Sequence, residues 1–74
     1  MKLKKNIFEQ LIYSESARLI EWEPALSSYM RYTFRLENGT YIRVTIDSPF
    51  CYCERDLLNL INKGVIHIMD LILW

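Results

Sequence analysis

Val65-Ile66-His67-Ile68-Met69-Asp70-Leu71-Ile72-Leu73-Trp74 is the stretch on which the fold turns. As a regular strand it would be apolar on both faces, because successive side chains of a strand point to opposite sides. Val65, Met69, Leu71 and Leu73, with His67 among them, would lie on one side. Ile66, Ile68, Ile72 and Trp74, interrupted by Asp70, would lie on the other. A half-solvated strand alternates apolar and polar residues. Covering both faces of this one takes either the rest of the chain or a partner, so the stretch bears on function as well as on fold.

Immediately upstream, Ser48-Pro49 reads as a helix start, with serine as cap and proline at the first helical position. Phe50, Cys53, Leu57, Leu60 and Ile61 form the stripe expected to be buried, and Arg55, Asp56, Asn59 and Lys63 the wet face. Gly64 ends this helix as a left-handed cap. Before it, Met30, Tyr32, Phe34 and Leu36 alternate with Arg31, Thr33, Arg35 and Glu37. After Asn38-Gly39, Ile42, Val44 and Ile46 alternate with Tyr41, Arg43 and Thr45, which makes a β-hairpin. A two-residue Asn-Gly turn would set Phe34 against Arg43 and mix the faces. A three-residue loop, Glu37-Asn38-Gly39 with Gly39 left-handed, pairs Phe34 with Ile42, Tyr32 with Val44 and Met30 with Ile46. The same parity predicts a strand over Ala17 to Glu23 that pairs Trp22 with Met30, Ile20 with Tyr32 and Glu21 with Arg31, across a connection at residues 24–28. Asn6 is the expected N-cap of a first helix, with Glu9 reaching back and Ile7, Phe8, Leu11 and Ile12 on one face. One longer helix running on to Trp22 is the alternative to helix plus strand.

These elements predict one small α+β domain over residues 1–74, two layers in the order α-β-β-β-α-β. Its four-stranded mixed sheet is an antiparallel meander plus a C-terminal parallel strand, with both helices on one face. The second helix carries the chain back, so the last strand is expected parallel to the first and third. It can pair beside either, through a right-handed crossover, and beside the first it gives the spatial order 4-1-2-3.

Composition narrows the function classes. The chain has 74 residues, 51% of them hydrophobic, and nine Lys and Arg against nine Asp and Glu. It is neither disordered nor a polyelectrolyte, and its overall charge draws it to neither nucleic acid nor membrane. A chain this short buries only about 60% of its unfolded surface, which leaves a thin stability margin. Cys51 and Cys53 are too close for an unstrained bridge. No leader with a cleavage site and no bilayer-length apolar run is visible, so a cytoplasmic protein with reduced thiols and no membrane partner is expected.

The residues that carry chemistry are few. His67 is the sole histidine, in the most apolar segment, and reads as structural. Asp70 would point to the opposite face of the strand and form no local dyad with it. Cys51-x-Cys53 offers two soft ligands without the four-ligand spacing of a zinc site, so no metal and no cofactor is expected. Cys53 reads as a small core residue. Gly39 and Gly64 are the only glycines and serve as turn and cap, which leaves no phosphate loop.

The open face of the hairpin carries Arg31, Arg35, Arg43 and Tyr41 with Thr33 and Thr45, a set that can grip phosphates or stack bases. Ordinary cross-strand pairing accounts for most of it: Glu21 opposite Arg31, and Arg35 packed on Tyr41, leaving Arg43 without an obvious partner. Lys2, Lys4 and Lys5 form a short basic arm of a kind that is usually solvated. The order helix, three strands, helix resembles that of double-stranded-RNA-binding domains, whose second helix opens with a lysine-rich phosphate-binding motif. Ser48-Pro49-Phe50-Cys51-Tyr52-Cys53-Glu54 contains no lysine, so the resemblance is one of order alone.

The expectation is therefore a non-enzymatic protein-binding module, self-associating, of the sort that phage and mobile elements encode as inhibitors of a host protein. Its binding residues are Ile66, Ile68, Ile72 and Trp74, beside Arg31, Arg35, Tyr41 and Arg43, with Trp74 as anchor. The alternative is a small nucleic-acid-binding regulator that uses the arginines and the lysine arm. Nothing supplies an activated nucleophile or an acid/base pair, so an enzyme is not expected.

Overall fold

A computed structural model describes residues 1–26 and 28–74; Ser27, within the connection expected at 24–28, lies outside the described residues. The elements are α1 (Lys5–Tyr13), β1 (Ala17–Pro24), β2 (Met30–Leu36), β3 (Tyr41–Ile46), α2 (Glu54–Asn62) and β4 (Ile68–Leu73). Helix α1 starts one residue before the expected cap. Its N-cap is Lys4, which makes no side-chain cap bond. Phe8 and Ile12, four apart and so on one face, are buried.

α1 stops at Tyr13 in a Schellman turn, with Ser16 N–H bonded to the Leu11 carbonyl and Glu15 N–H to the Ile12 carbonyl. Glu15 takes the left-handed position at φ 60°. Helix plus strand is thus the arrangement over residues 4–22. α2 ends in the same geometry, with Val65 N–H on Leu60 and Gly64 N–H on Ile61, and there the left-handed residue is the expected Gly64 at φ 76°.

The central hairpin has the register that parity required: Phe34 opposite Ile42, Tyr32 opposite Val44, and Met30 opposite Ile46. Gly39, at φ 88°, closes the loop with its N–H on the Leu36 carbonyl. Strand β1 departs from the expected pairing. Leu19 lies opposite Phe34, but the next pair is Glu21 with Thr33, then Trp22 with Tyr32 and Glu23 with Arg31. Ile20 is the extra residue of a β-bulge, which is why it leaves the core face and stands half exposed.

The final strand corrects the expected topology. The sheet is wholly antiparallel in the order β1-β2-β3-β4, with β4 beside β3, so the parallel strand, the order 4-1-2-3 and the crossover over one helix-covered face of a mixed sheet do not occur. The reason lies at Asp47, the residue after β3. Its Oδ1 accepts the His67 main-chain N–H at 2.6 Å, its Oδ2 lies 3.0 Å from His67 Nδ1, and its own N–H donates to the His67 carbonyl at 3.1 Å. The excursion from Ser48 to Ile66 thus begins and ends at one end of the sheet, and a strand leaving from there runs back antiparallel. A parallel connection would have to travel the length of β3, about 20 Å.

α2 is short because Ser48 does not start it. Ser48 Oγ accepts the Phe50 N–H at 3.3 Å and pairs with the Tyr52 hydroxyl at 3.1 Å. The buried Tyr32 hydroxyl accepts the Tyr52 N–H at 2.7 Å and donates to the Phe50 carbonyl at 3.4 Å. These bonds hold residues 48–53 irregular against the sheet. Phe50 and Cys53, expected in the buried stripe, are exposed; Leu57 and Ile61 are buried as expected, Leu58 joins them, and Leu60 is half-buried.

One cluster makes the core. Phe8 and Ile12 of α1 and Leu57, Leu58 and Ile61 of α2 meet Met30, Tyr32, Phe34, Ile42, Val44 and Ile46 of the sheet. Phe8 meets Phe34 edge-on, ring centroids 5.4 Å apart, the geometry aromatic pairs prefer. A second bulge resolves the two-faced strand. Ile46 pairs with Ile68 and Thr45 with Asp70, so Met69 is extra. Ile66 and Ile68 therefore share the core face with Leu71 and Leu73, whereas Val65 and Met69 are more than half exposed.

Candidate functional site

On the other face of the sheet the register lines up three rows of side chains, since directly opposed residues share a face. Arg18, Arg35 and Tyr41 make the first row, joined by Trp74, whose main-chain N–H donates to the Tyr41 carbonyl at 2.8 Å. The second row runs Glu21, Thr33, Arg43, Ile72, and the third Glu23, Arg31, Thr45, Asp70. Of the expected binding residues, Ile72, Trp74, Arg31, Arg35, Tyr41 and Arg43 come together here. Ile66 and Ile68 do not. Ile66 is buried in the core and Ile68 packs against it, because the bulge at Met69 reverses their parity.

Arg43 has the partner that spacing could not supply. Its guanidinium carbon stands 4.5 Å from the centre of the Trp74 ring. A cation over an indole face is attracted by the ring quadrupole. Arg43 Nε is buried there and makes no hydrogen bond among the described residues. An unpaired buried donor costs stability, so this stack trades a hydrogen bond for the aromatic contact. Next to it, Ile20, Glu21, Glu23, Thr33, Tyr41, Arg43 and Trp74 line a concavity of about 390 Å³. Arg31 Nη1 meets Glu23 Oε1 at 3.3 Å, so its carboxylate partner is Glu23 and not Glu21. The pair is solvent-exposed and holds the face together weakly.

Three members of the face were hidden from sequence reasoning, and one of them, Arg18, lies opposite Arg35 because the bulge shifts the register of β1. Ile20 arrives through the bulge in β1. Lys2 arrives because residues 1–3 run along the outer edge of β4, where Lys2 forms an antiparallel bridge with Ile72. Leu3 N–H bonds to the Leu71 carbonyl at 3.1 Å and Leu73 N–H to the Met1 carbonyl at 2.7 Å. Lys2 thereby shares a face with Ile72 and Arg43. The other lysines of the arm diverge, and Lys5 sits 3.8 Å from Glu9 one helical turn on.

His67 also has an unforeseen partner. The main-chain N–H of His67, reinforced by its ring, holds the Asp47 carboxyl below the ordinary value of 3.8, although partial burial opposes the shift. A histidine with a carboxylate orients like two members of a catalytic triad. Every hydrogen bond of His67 among the described residues runs to Asp47, however, and none reaches a hydroxyl or thiol that it could activate. The pair joins two strand ends. Burial raises the Tyr32 hydroxyl pKa above 10.0, against the Tyr52 N–H that lowers it, which keeps that hydroxyl neutral in its structural role.

Cys53, expected in the core, is exposed and its thiol donates to Asp56 Oδ2 at 3.1 Å. Among the described residues no three His, Cys, Asp or Glu side chains converge, and no helix is long and apolar enough to cross a membrane. Comparison with known proteins finds no matching family model, no similar curated protein and no similar solved structure.

Proposed function

We propose that this chain is a non-enzymatic protein-binding module that docks through the sheet face opposite its core, with Trp74 as anchor. One observation carries the reading: Trp74 is 62% exposed yet fixed, its backbone bonded to Tyr41 and its ring stacked on Arg43. An exposed aromatic that is already ordered loses little entropy when a partner covers it. Trp, Tyr and Arg are also the residues that concentrate binding energy at protein interfaces. A second copy of the chain is one partner that suits such a face, and a module of this type acts as an inhibitor or regulator by occupying a partner's surface.

A second reading, a nucleic-acid-binding regulator, draws on Lys2 joining Arg18, Arg31, Arg35 and Arg43 on the same side of the sheet. Those five cations face Glu21, Glu23 and Asp70, and 5 − 3 leaves an excess of only two. That weak field favours the protein reading over phosphate binding.

Solution mass across a dilution series, together with affinity capture from cell lysate, tests the proposal. The expected result is a stoichiometric protein complex, homomeric or heteromeric, that Trp74→Ser loses and Tyr13→Ser, an exposed change on α1, retains. Complexes that survive Trp74→Ser overturn it. Recovered nucleic acid whose binding weakens steeply with salt, and is lost in Arg35→Ala with Arg43→Ala, decides for the second reading.

A further inference from the structure

Resting on the docking proposal, we infer that the concavity beside Trp74 receives a basic side chain, lysine or arginine, from the bound protein. The middle row of the face places Glu21 and Arg43 on β1 and β3, two strand spacings apart, about 10 Å, with the small Thr33 between them. Arg43 does not reach across this gap to Glu21. Its guanidinium is drawn onto the Trp74 ring at the other side. The result is a hollow with a carboxylate wall and an aromatic wall, floored by a threonine.

The charges then select the occupant. Glu23 is matched by Arg31, whereas Glu21 makes no ion pair among the described residues. An acidic side chain entering the hollow meets two carboxylates, Glu21 unpaired and Glu23 shared with Arg31, while the cation of Arg43 is already engaged by the Trp74 ring. An apolar side chain would strip water from Glu21 and return no partner, which is costly. A basic one places its cation beside Glu21 and against the exposed ring surface of Tyr41 and Trp74. Its methylenes lie along Ile20, the residue that the bulge in β1 turns outward, as long basic side chains pack on apolar surface.

Amide NMR of the isotopically labelled full chain, titrated with acetyl-Gly-Arg-Gly-amide and with acetyl-Gly-Glu-Gly-amide, tests this directly. The arginine peptide is expected to shift the signals of Glu21, Thr33, Tyr41 and the Trp74 indole, with a Kd on the order of 1 mM, and the glutamate peptide to leave them in place. Glu21→Gln, an exposed change that leaves the rest of the spectrum intact, is expected to weaken the arginine peptide about tenfold. Equal response to both peptides, shifts elsewhere on the surface, or indifference to Glu21→Gln overturns the inference. A protein complex that depends on Trp74 but keeps its full affinity in Glu21→Gln overturns it as well, and leaves the docking proposal standing.

Discussion

Asp47 shows how one residue can decide a topology that sequence patterns leave open. It follows the last strand position of β3, and nothing in its spacing connects it to His67, 20 residues on. Contacts of that separation are set by the assembled chain, not by local preference, so the sequence offered a lone histidine and a loop aspartate. The pairing carries a pH signature. Because the folded pKa of Asp47 lies below its ordinary 3.8, the stabilisation is complete above that value and is lost as the pH falls through the lower folded pKa. Urea denaturation of wild type and Asp47→Asn at about pH 7 and about pH 2.5 checks it. Wild type is expected to be the more stable at neutral pH and to lose that advantage in acid; a constant difference would show that the carboxylate charge contributes nothing. The two helix ends teach the same lesson in reverse. Gly64 announced its left-handed cap, whereas Glu15 occupies the same conformation with no such mark, because glycine only lowers a strain that other residues can bear.

At the scale of elements, the hairpin was legible because its alternation is unbroken and one slip would have inverted every side chain. The outer strands were misread for a single physical reason. A bulge adds one residue and reverses parity from that point on, and neither Ile20 nor Met69 is of a residue type that marks one. The strand that looked evenly apolar on both faces keeps its buried row on one: Ile66 and Ile68 before the bulge and Leu71 and Leu73 after it point inward together, which leaves Ile72 and Trp74 with Asp70 on the open face. The open face was therefore recovered in Arg31, Arg35, Arg43, Tyr41, Ile72 and Trp74, missed in Arg18, and wrongly extended to Ile66 and Ile68. A pair of substitutions separates the two parities. Ile66→Ser is expected to cost about 3 kcal/mol, as losing a buried aliphatic side chain does, and Val65→Ser to stay within about 0.5 kcal/mol. A regular strand would give the opposite ranking, and thermal or urea denaturation reads the difference.

For the molecule as a whole, what matters is which backbone remains free to pair. A sheet edge is a template for other chains, and soluble proteins blunt theirs. β1 is blunted by its bulge, by Pro24, which has no N–H, and by Glu54, whose carboxylate accepts the Leu19 N–H at 3.1 Å. β4 is covered by the arm at residues 1–3. With both edges occupied in part by the chain itself, the side-chain face around Trp74 is left uncovered, and this favours docking by side chains over strand addition. The arm gives the account its sharpest check. Leu3→Pro removes the donor to the Leu71 carbonyl and should peel the arm from β4, with Leu3→Ala as the control that loses packing but keeps the N–H. Amide exchange then separates two neighbours. The Leu73 N–H, bonded outward to Met1, is expected to lose its protection, whereas the Trp74 N–H, bonded inward to Tyr41, keeps it. Loss at both positions would mean that β4 itself has come away. Protection retained at Leu73 would mean that the arm does not seal this edge, and strand addition at β4 would then compete with the open face as the route to a partner.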